Sequence, residues 1–267
     1  MSRLVPDPEV PGAYYVRINR TDHSWIDPDE PTRLEFDYMQ RIADALDVHR
    51  PEGERMRVVH IGGAGMSLAR YVAVSRPTSP QIVLEPDASL TEEVRQAAPL
   101  PRNSGIKVRA TDGRTGIAAM PGEYADVIIL DAFAEASVPA DVTTVEFFTD
   151  ISRVLAADGM LLVNVTDRGP LHYTRRVMAG LAQIFPETLL EAEPATLKGR
   201  RFGNLIALAA RATPPVQALT RRAAASPFPY RVLYGTELRR FVGGAAAYTD
   251  QDCEPSPPPP VGDTVFS

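Results

Sequence analysis

The chain has 267 residues, 44% of them hydrophobic and 23% charged, enough to bury a sizeable core in one domain with an appendage or in two small ones. Its net charge of −6 comes without a basic stripe, since the Arg-Arg pairs at 175–176, 200–201, 221–222 and 239–240 are scattered, so nucleic acid is excluded as the expected partner. One cysteine (Cys253) and four histidines without ligand spacing (His23, His49, His60, His172) give no internal disulfide and no metal site, and no apolar run approaches the roughly 18 residues of a membrane span, so a cytoplasmic protein without membrane contact is expected.

Residues 1–33 are rich in Pro and Asp and read as a shortened hairpin region, with one strand in "AYYVRINR" (13–20) and a partner starting at "SWID" (24–27). The segment 31–48 then spaces Leu34, Tyr38, Ile42 and Leu46 along one helical face, closed by Pro51 and Gly53. From there an alternation begins. Strand 57–62 precedes helix 67–75, strand 81–86 precedes helix 88–98, and strand 106–112 precedes a short helix at 113–120. Strand 125–133 precedes helix 143–156, with Thr143 or Thr144 as its N-cap, and strand 159–167 precedes helix 171–185.

Apolar, β-branched runs separated by helices predict buried parallel strands with right-handed crossovers, that is, a doubly wound, Rossmann-like α/β sheet. The last two strands, 188–194 and 202–211, have only "ATLKGRR" between them, so they are predicted to pair antiparallel. A mostly parallel seven-stranded sheet ending in an antiparallel hairpin follows, the layout of class I methyltransferase-type enzymes. This assigns a nucleoside-binding α/β domain to 34–211. Residues 212–267 are left as a C-terminal extension with a polar linker, a short helix in "TELRRFVGG" and a Pro-rich tail "EPSPPPP" expected to be disordered or polyproline-like.

The corner "VVHIGGAGMSLARY" (58–71) sets Gly62, Gly63 and Gly65 between a buried strand and a helix. A tight turn alone would account for them. The dinucleotide fingerprint requires a third glycine that falls on Leu68, and no Gly-Lys-Ser/Thr follows, which argues against NAD and excludes a P-loop. In a doubly wound sheet, ligands lie across the carboxyl ends of the strands. Glu85 ends the second strand, where it can accept from both ribose hydroxyls. Asp112, followed by Gly113, ends the third, where it can accept from an adenine amine. Asp131 ends the fourth beside the glycine corner. One such acid is often only a helix cap, but three at successive strand ends predict a nucleoside site without phosphates.

These segments resemble the spermidine synthase family of polyamine aminopropyltransferases. "LEFDYMQRIADAL" resembles the family's Asp-Glu-Phe-x-Tyr-His-Glu helix, and "VVHIGGAGMSLARY" its Gly-Gly-Gly-Asp-Gly loop. "VLEPD" resembles its Glu-Leu/Ile-Asp, "ATDG" its Gly-Asp-Ala/Gly, and "ADVIILDAFAEASVPADVTTVEFF" its catalytic-loop strand, over residues 24 to 211 in all. The resemblance implies transfer of the aminopropyl group of decarboxylated S-adenosylmethionine to a small-molecule amine, without a metal. It places the ribose on Glu85, the adenine region on Asp112 and Gly113, and the close backbone approach at Gly62, Gly63 and Gly65. Asp131 would orient the amine and take its proton, with Tyr38 orienting Asp131. A homodimer is within what the resemblance implies, although the region that helps assemble family members is shortened here.

The chain departs from the family pattern at several positions. Met39 and Gln40 replace His-Glu in the helix, and Ala64 or Gly65 stands where the loop carries its aspartate. Ala134 takes the place of the second acid of Asp-x-x-Asp, with Glu135 one place further on. Asp37, Glu35 and Glu135 are candidate replacements for the lost acids, and Trp25 and Phe133 candidate walls for a methylene chain. Loss of the loop acid removes a repulsion against the carboxylate of intact S-adenosylmethionine. A methyltransferase using that donor, or a non-catalytic nucleoside-binding homologue, therefore stands as the alternative.

Overall fold

The computed structural model of the chain describes residues 3–18 and 21–260. A three-stranded antiparallel sheet opens it, β1 (Leu4–Pro6), β2 (Tyr14–Ile18) and β3 (Thr21–Ile26), followed by helix α1 (Asp37–His49). The alternating part comprises β4 (Val58–Ile61), α2 (Ser67–Ser75), β5 (Gln81–Leu84), α3 (Ala88–Ala97), β6 (Ile106–Arg109), α4 (Gly113–Ala118), β7 (Ala125–Leu130), α5 (Val145–Val154), β8 (Leu155–Asp167) and α6 (His172–Ile184). The carboxyl-terminal part adds β9 (Glu187–Ala192), a single helical turn α7 (Pro194–Leu197), β10 (Gly203–Ala210), α8 (Val216–Ala225), β11 (Arg231–Tyr234) and α9 (Gly235–Val242).

The large sheet runs β11-β9-β10-β8-β7-β4-β5-β6. Strands β4 to β8 pair parallel, and β10 pairs antiparallel with both β8 and β9. This is the expected mostly parallel α/β sheet with a terminal antiparallel hairpin. The strand count is corrected from seven to eight. The additional strand, β11, comes from the carboxyl-terminal extension and pairs antiparallel with β9 from Arg231↔Ala192 to Tyr234↔Leu189. Its four residues carry no strong strand pattern, and the open edge of β9 gives them their partners.

The amino-terminal hairpin is likewise one strand larger than expected, because β1 pairs with β2. Helix α8 occupies part of the segment read as a polar linker. The Pro-rich tail is tied to the body at Ser256. Ser256 is buried, its amide donates to the carbonyl of Val138 (3.0 Å), and its Oγ accepts from the amide of Val138 (2.9 Å). One backbone bond and one hydroxyl bond hold the tail where no periodic pattern would.

The chain leaves β4 toward β5 and β6 on one side and β7 and β8 on the other, so β4 and β7 flank the switch point where such sheets open a cleft. Side chains of one register row share a face. Asn164 pairs with Ile206, which pairs with Glu191, and all three lie on the face covered by α1 and α8. Thr144 is the N-cap of α5, its side chain accepting from the amide of Phe147, which decides between the two candidates.

Candidate active site

The glycine corner is built by contact between two strand ends. Gly62 has φ +86°, and a Cβ there would lie 2.3 Å from the carbonyl oxygen of Asp131, so only glycine lets β4 and β7 meet at this point. Past it, the amides of Gly63 and Ala64 both donate to Glu85 Oε2, at 3.0 and 3.1 Å, while the amide of Asp87 donates to Oε1 at 3.0 Å. Glu85 therefore fixes the corner as well as standing at its rim. Gly65 faces the other way. A Cβ on it would meet Ile26 and Ser24 at 2.7 Å, so it seats the amino-terminal sheet against the corner and does not line the cleft.

Asp112 caps α4, accepting from the amide of Thr115 (2.9 Å), and that bond holds its carboxyl below the ordinary range. It is exposed at the cleft wall beside Gly113. Asp131 is held differently. The hydroxyl of Tyr38, in the first turn of α1, donates to Oδ2 at 3.2 Å, and the side-chain amide of Asn164 on β8 donates to Oδ1 at 2.9 Å. No cation faces it among these partners. Burial raises its pKa to about 6, and the bonds from Asn164 and Tyr38 offset only part of that rise. The Tyr38 hydroxyl is itself pushed well above its usual value, first by burial and then by Asp131, so it stays a donor.

A cleft of about 480 Å³ joins these groups. Gly62, Gly63, Glu85, Asp112, Gly113 and Asp131 line it, and Tyr38 reaches it through Asp131. Of the replacement candidates, Phe133 and Glu135 line the cleft, whereas Asp37, Glu35 and Trp25 do not. Glu35 pairs with Arg33 (3.1 Å), and the Trp25 indole N–H donates to Asp7 (2.7 Å) under the guanidinium of Arg33, so Trp25 is a packing residue of the small sheet. Among the described residues no group of His, Cys, Asp or Glu could hold a metal ion.

Two features of the site escape sequence reasoning. Asn164 is one: a lone amide in the apolar run "MLLVNVTD" is the signal that marks it. His60 is the other. It lies on the cleft floor with Nε2 2.9 Å from Gln81 Oε1, and burial lowers its pKa to about 4, so the ring is neutral.

Comparison with known proteins follows this geometry. No family model matches the chain. A probable spermidine synthase from Corynebacterium glutamicum ATCC 13032 superposes with a TM-score of 0.85 at 32% identity, covering 92% of both chains. The chain belongs to the spermidine synthase family. A polyamine aminopropyltransferase from Vibrio vulnificus (strain CMCP6) is 26% identical over 142 residues, 52% of this chain but only 46% of that relative's length. Human methyltransferase-like protein 13 in complex with SAH (TM-score 0.57, 19% identity, 80% of this chain and 96% of that one) has the same fold. So does the spermidine synthase of Thermotoga maritima (TM-score 0.53, 17% identity, 81% of this chain and 70% of that one). Met39, Ala64 and Ala134, positions where the sequence departs from the family pattern, all belong to the lining of the cleft. Among the described residues no helix is long and apolar enough to cross a membrane.

Proposed function

We propose that the chain is an aminopropyltransferase that moves the aminopropyl group of decarboxylated S-adenosylmethionine to an amine and releases methylthioadenosine. The nucleoside-binding unit is assigned to residues 34–211. The observation that carries the reading is the setting of Asp131: a carboxylate beside the glycine corner, with a raised pKa and an edge on the cleft, bonded from behind by two neutral side chains.

In this reading Glu85 accepts from the ribose hydroxyls, Asp112 and Gly113 border the adenine, and the bare backbone at Gly62 and Gly63 lets the sulfonium approach. The amine nitrogen attacks the carbon next to the sulfonium. The C–N bond forms as the C–S bond breaks, and the bonding pair leaves with sulfur as a neutral thioether. The sulfonium is already a good leaving group, so the protein's tasks are alignment and proton removal from an amine whose solution pKa is about 10. Asp131 holds the ammonium and takes one proton from it, which frees the nitrogen lone pair for the attack and leaves the product as a secondary ammonium, a role general-base groups fill for about 10²- to 10⁴-fold in rate. Tyr38 and Asn164 fix the direction of its lone pairs.

One observation favours a second reading. Ala64 lines the cleft where an acid would repel a donor carboxylate, which suits a methyltransferase using intact S-adenosylmethionine. Thermal shift with both donors, followed by chromatography of the nucleoside product over an amine panel, separates the two. Amine-dependent release of methylthioadenosine from the decarboxylated donor is the expected result; release of S-adenosylhomocysteine from the intact donor would replace the first reading by the second.

A further inference from the structure

Resting on the aminopropyltransferase reading, we infer that the acceptor is a primary monoamine carrying an uncharged apolar chain or ring, rather than an α,ω-diamine. The cleft has two unlike halves. Toward β5, β6 and α4 it is lined by Glu85, Asp87 and Asp112, and the turn bearing Asp141 packs on α4 on the same side. On the α1 side of Asp131 it continues as a lobe under the glycine corner. By strand alternation, His60 and Ile129 point to the same face as Asp131, two residues further along. Helix α1 adds Met39, α2 adds Leu68 and Ala69, and β3 adds Ser24. All of these side chains are buried.

Asp131 is the one carboxylate among the described residues that line this lobe. Its two oxygens already accept from Tyr38 and Asn164, and its single negative charge balances one ammonium, the reacting one. The remaining polar groups of the lobe are satisfied and neutral. Ser24 Oγ lies 2.8 Å from Ser67 Oγ, and His60 is bonded to Gln81, whose own amide donates to the carbonyl of Ala69 (2.9 Å). A second ammonium entering the lobe would lose its water and gain no counter-charge, the costliest arrangement for an ion in a protein interior. Glu135 also lines the cleft, but it is exposed on the loop tip beyond Ala134, where an ion pair contributes little. A methylene chain or ring, in contrast, is matched by Met39, Leu68 and Ile129, and Met39 adapts to irregular shapes.

The test uses the full chain with decarboxylated S-adenosylmethionine and measures methylthioadenosine release with butylamine, hexylamine and phenethylamine against putrescine and cadaverine. A kcat/KM at least about tenfold higher for the monoamines is expected, the scale on which apolar pockets and unpaired buried charges discriminate. Equal or better use of putrescine overturns the inference and leaves the aminopropyltransferase reading standing. No release with any amine overturns both. As a second arm, Ala134→Asp sets a carboxylate at the mouth, and the monoamine-to-putrescine ratio should fall at least about tenfold. An unchanged ratio, in a variant that methylthioadenosine still stabilises in thermal shift, counts against the inference.

Discussion

The two halves of the cleft hold their carboxylates in opposite ways. Toward β5, β6 and α4, Glu85 accepts from the amides of Gly63, Ala64 and Asp87, Asp112 accepts from Thr115, and Asp87 caps α3 through Leu90. Backbone N–H groups at helix starts lower Asp112 and Asp87, so these acids stay ionised and serve as fixed acceptors. On the α1 side, Asp131 is held by a phenol and a carboxamide, and burial wins over both. The difference teaches that the partners, and not the residue type, decide whether an aspartate binds or reacts. A carboxylate solvated by backbone dipoles is a weak base, whereas a desolvated one with neutral partners is poised to accept a proton.

The largest effect that would break this contrast is expected at Asp131. Asp131→Asn keeps the shape and the Tyr38 bond but removes the base, and transfer should fall by about 10²- to 10⁴-fold in single-turnover assays. Methylthioadenosine affinity, measured by calorimetry, should change little. An equal loss of both would mean that the two halves are not separable. A smaller effect is expected at Glu85. Glu85→Gln removes the charge and sets an NH2 donor against one of the amides of Gly63, Ala64 or Asp87, so nucleoside affinity should weaken by about 10- to 100-fold, the range for hydrogen bonds to a charged group. The rate of transfer at saturating donor should be nearly kept.

The smallest and most diagnostic change concerns pH. In the proposed function Asp131 acts when ionised, so kcat/KM in the wild-type chain should fall as pH drops through about 6. The Tyr38 bond lowers that pKa, so Tyr38→Phe should move the acid limb to higher pH with only a modest loss at the plateau. An unmoved limb would show that Tyr38 does not orient the base.

Much of this arrangement is visible in the residues themselves. Helix and strand periods, the glycine corner and the strand-end acids Glu85, Asp112 and Asp131 all follow from local pattern, because each depends on neighbours within one turn or one strand. The resemblance to the spermidine synthase family rests on the same segments in the same order. Other features depend on contacts between distant segments, which no local period encodes. Asn164 meets Asp131 through the register of β8 against β7, Gly65 turns to β3 instead of the cleft, and Ser256 docks on Val138 across 118 residues of sequence.

By itself, then, the amino-acid sequence determined the alternating strands and helices from β4 to α6 and which chemical groups end those strands, since steric preference, hydrophobic period and turn chemistry act locally, whereas β1, β11 and α8 needed partners from other segments. The tertiary structure alone decided that the carboxylate of Asp131 is desolvated and backed by Tyr38 and Asn164, and that Met39, Leu68 and Ile129 close into an apolar lobe beside it. Desolvation and cavity shape are properties of what surrounds a group in space, and those surroundings come from four separate elements of the chain.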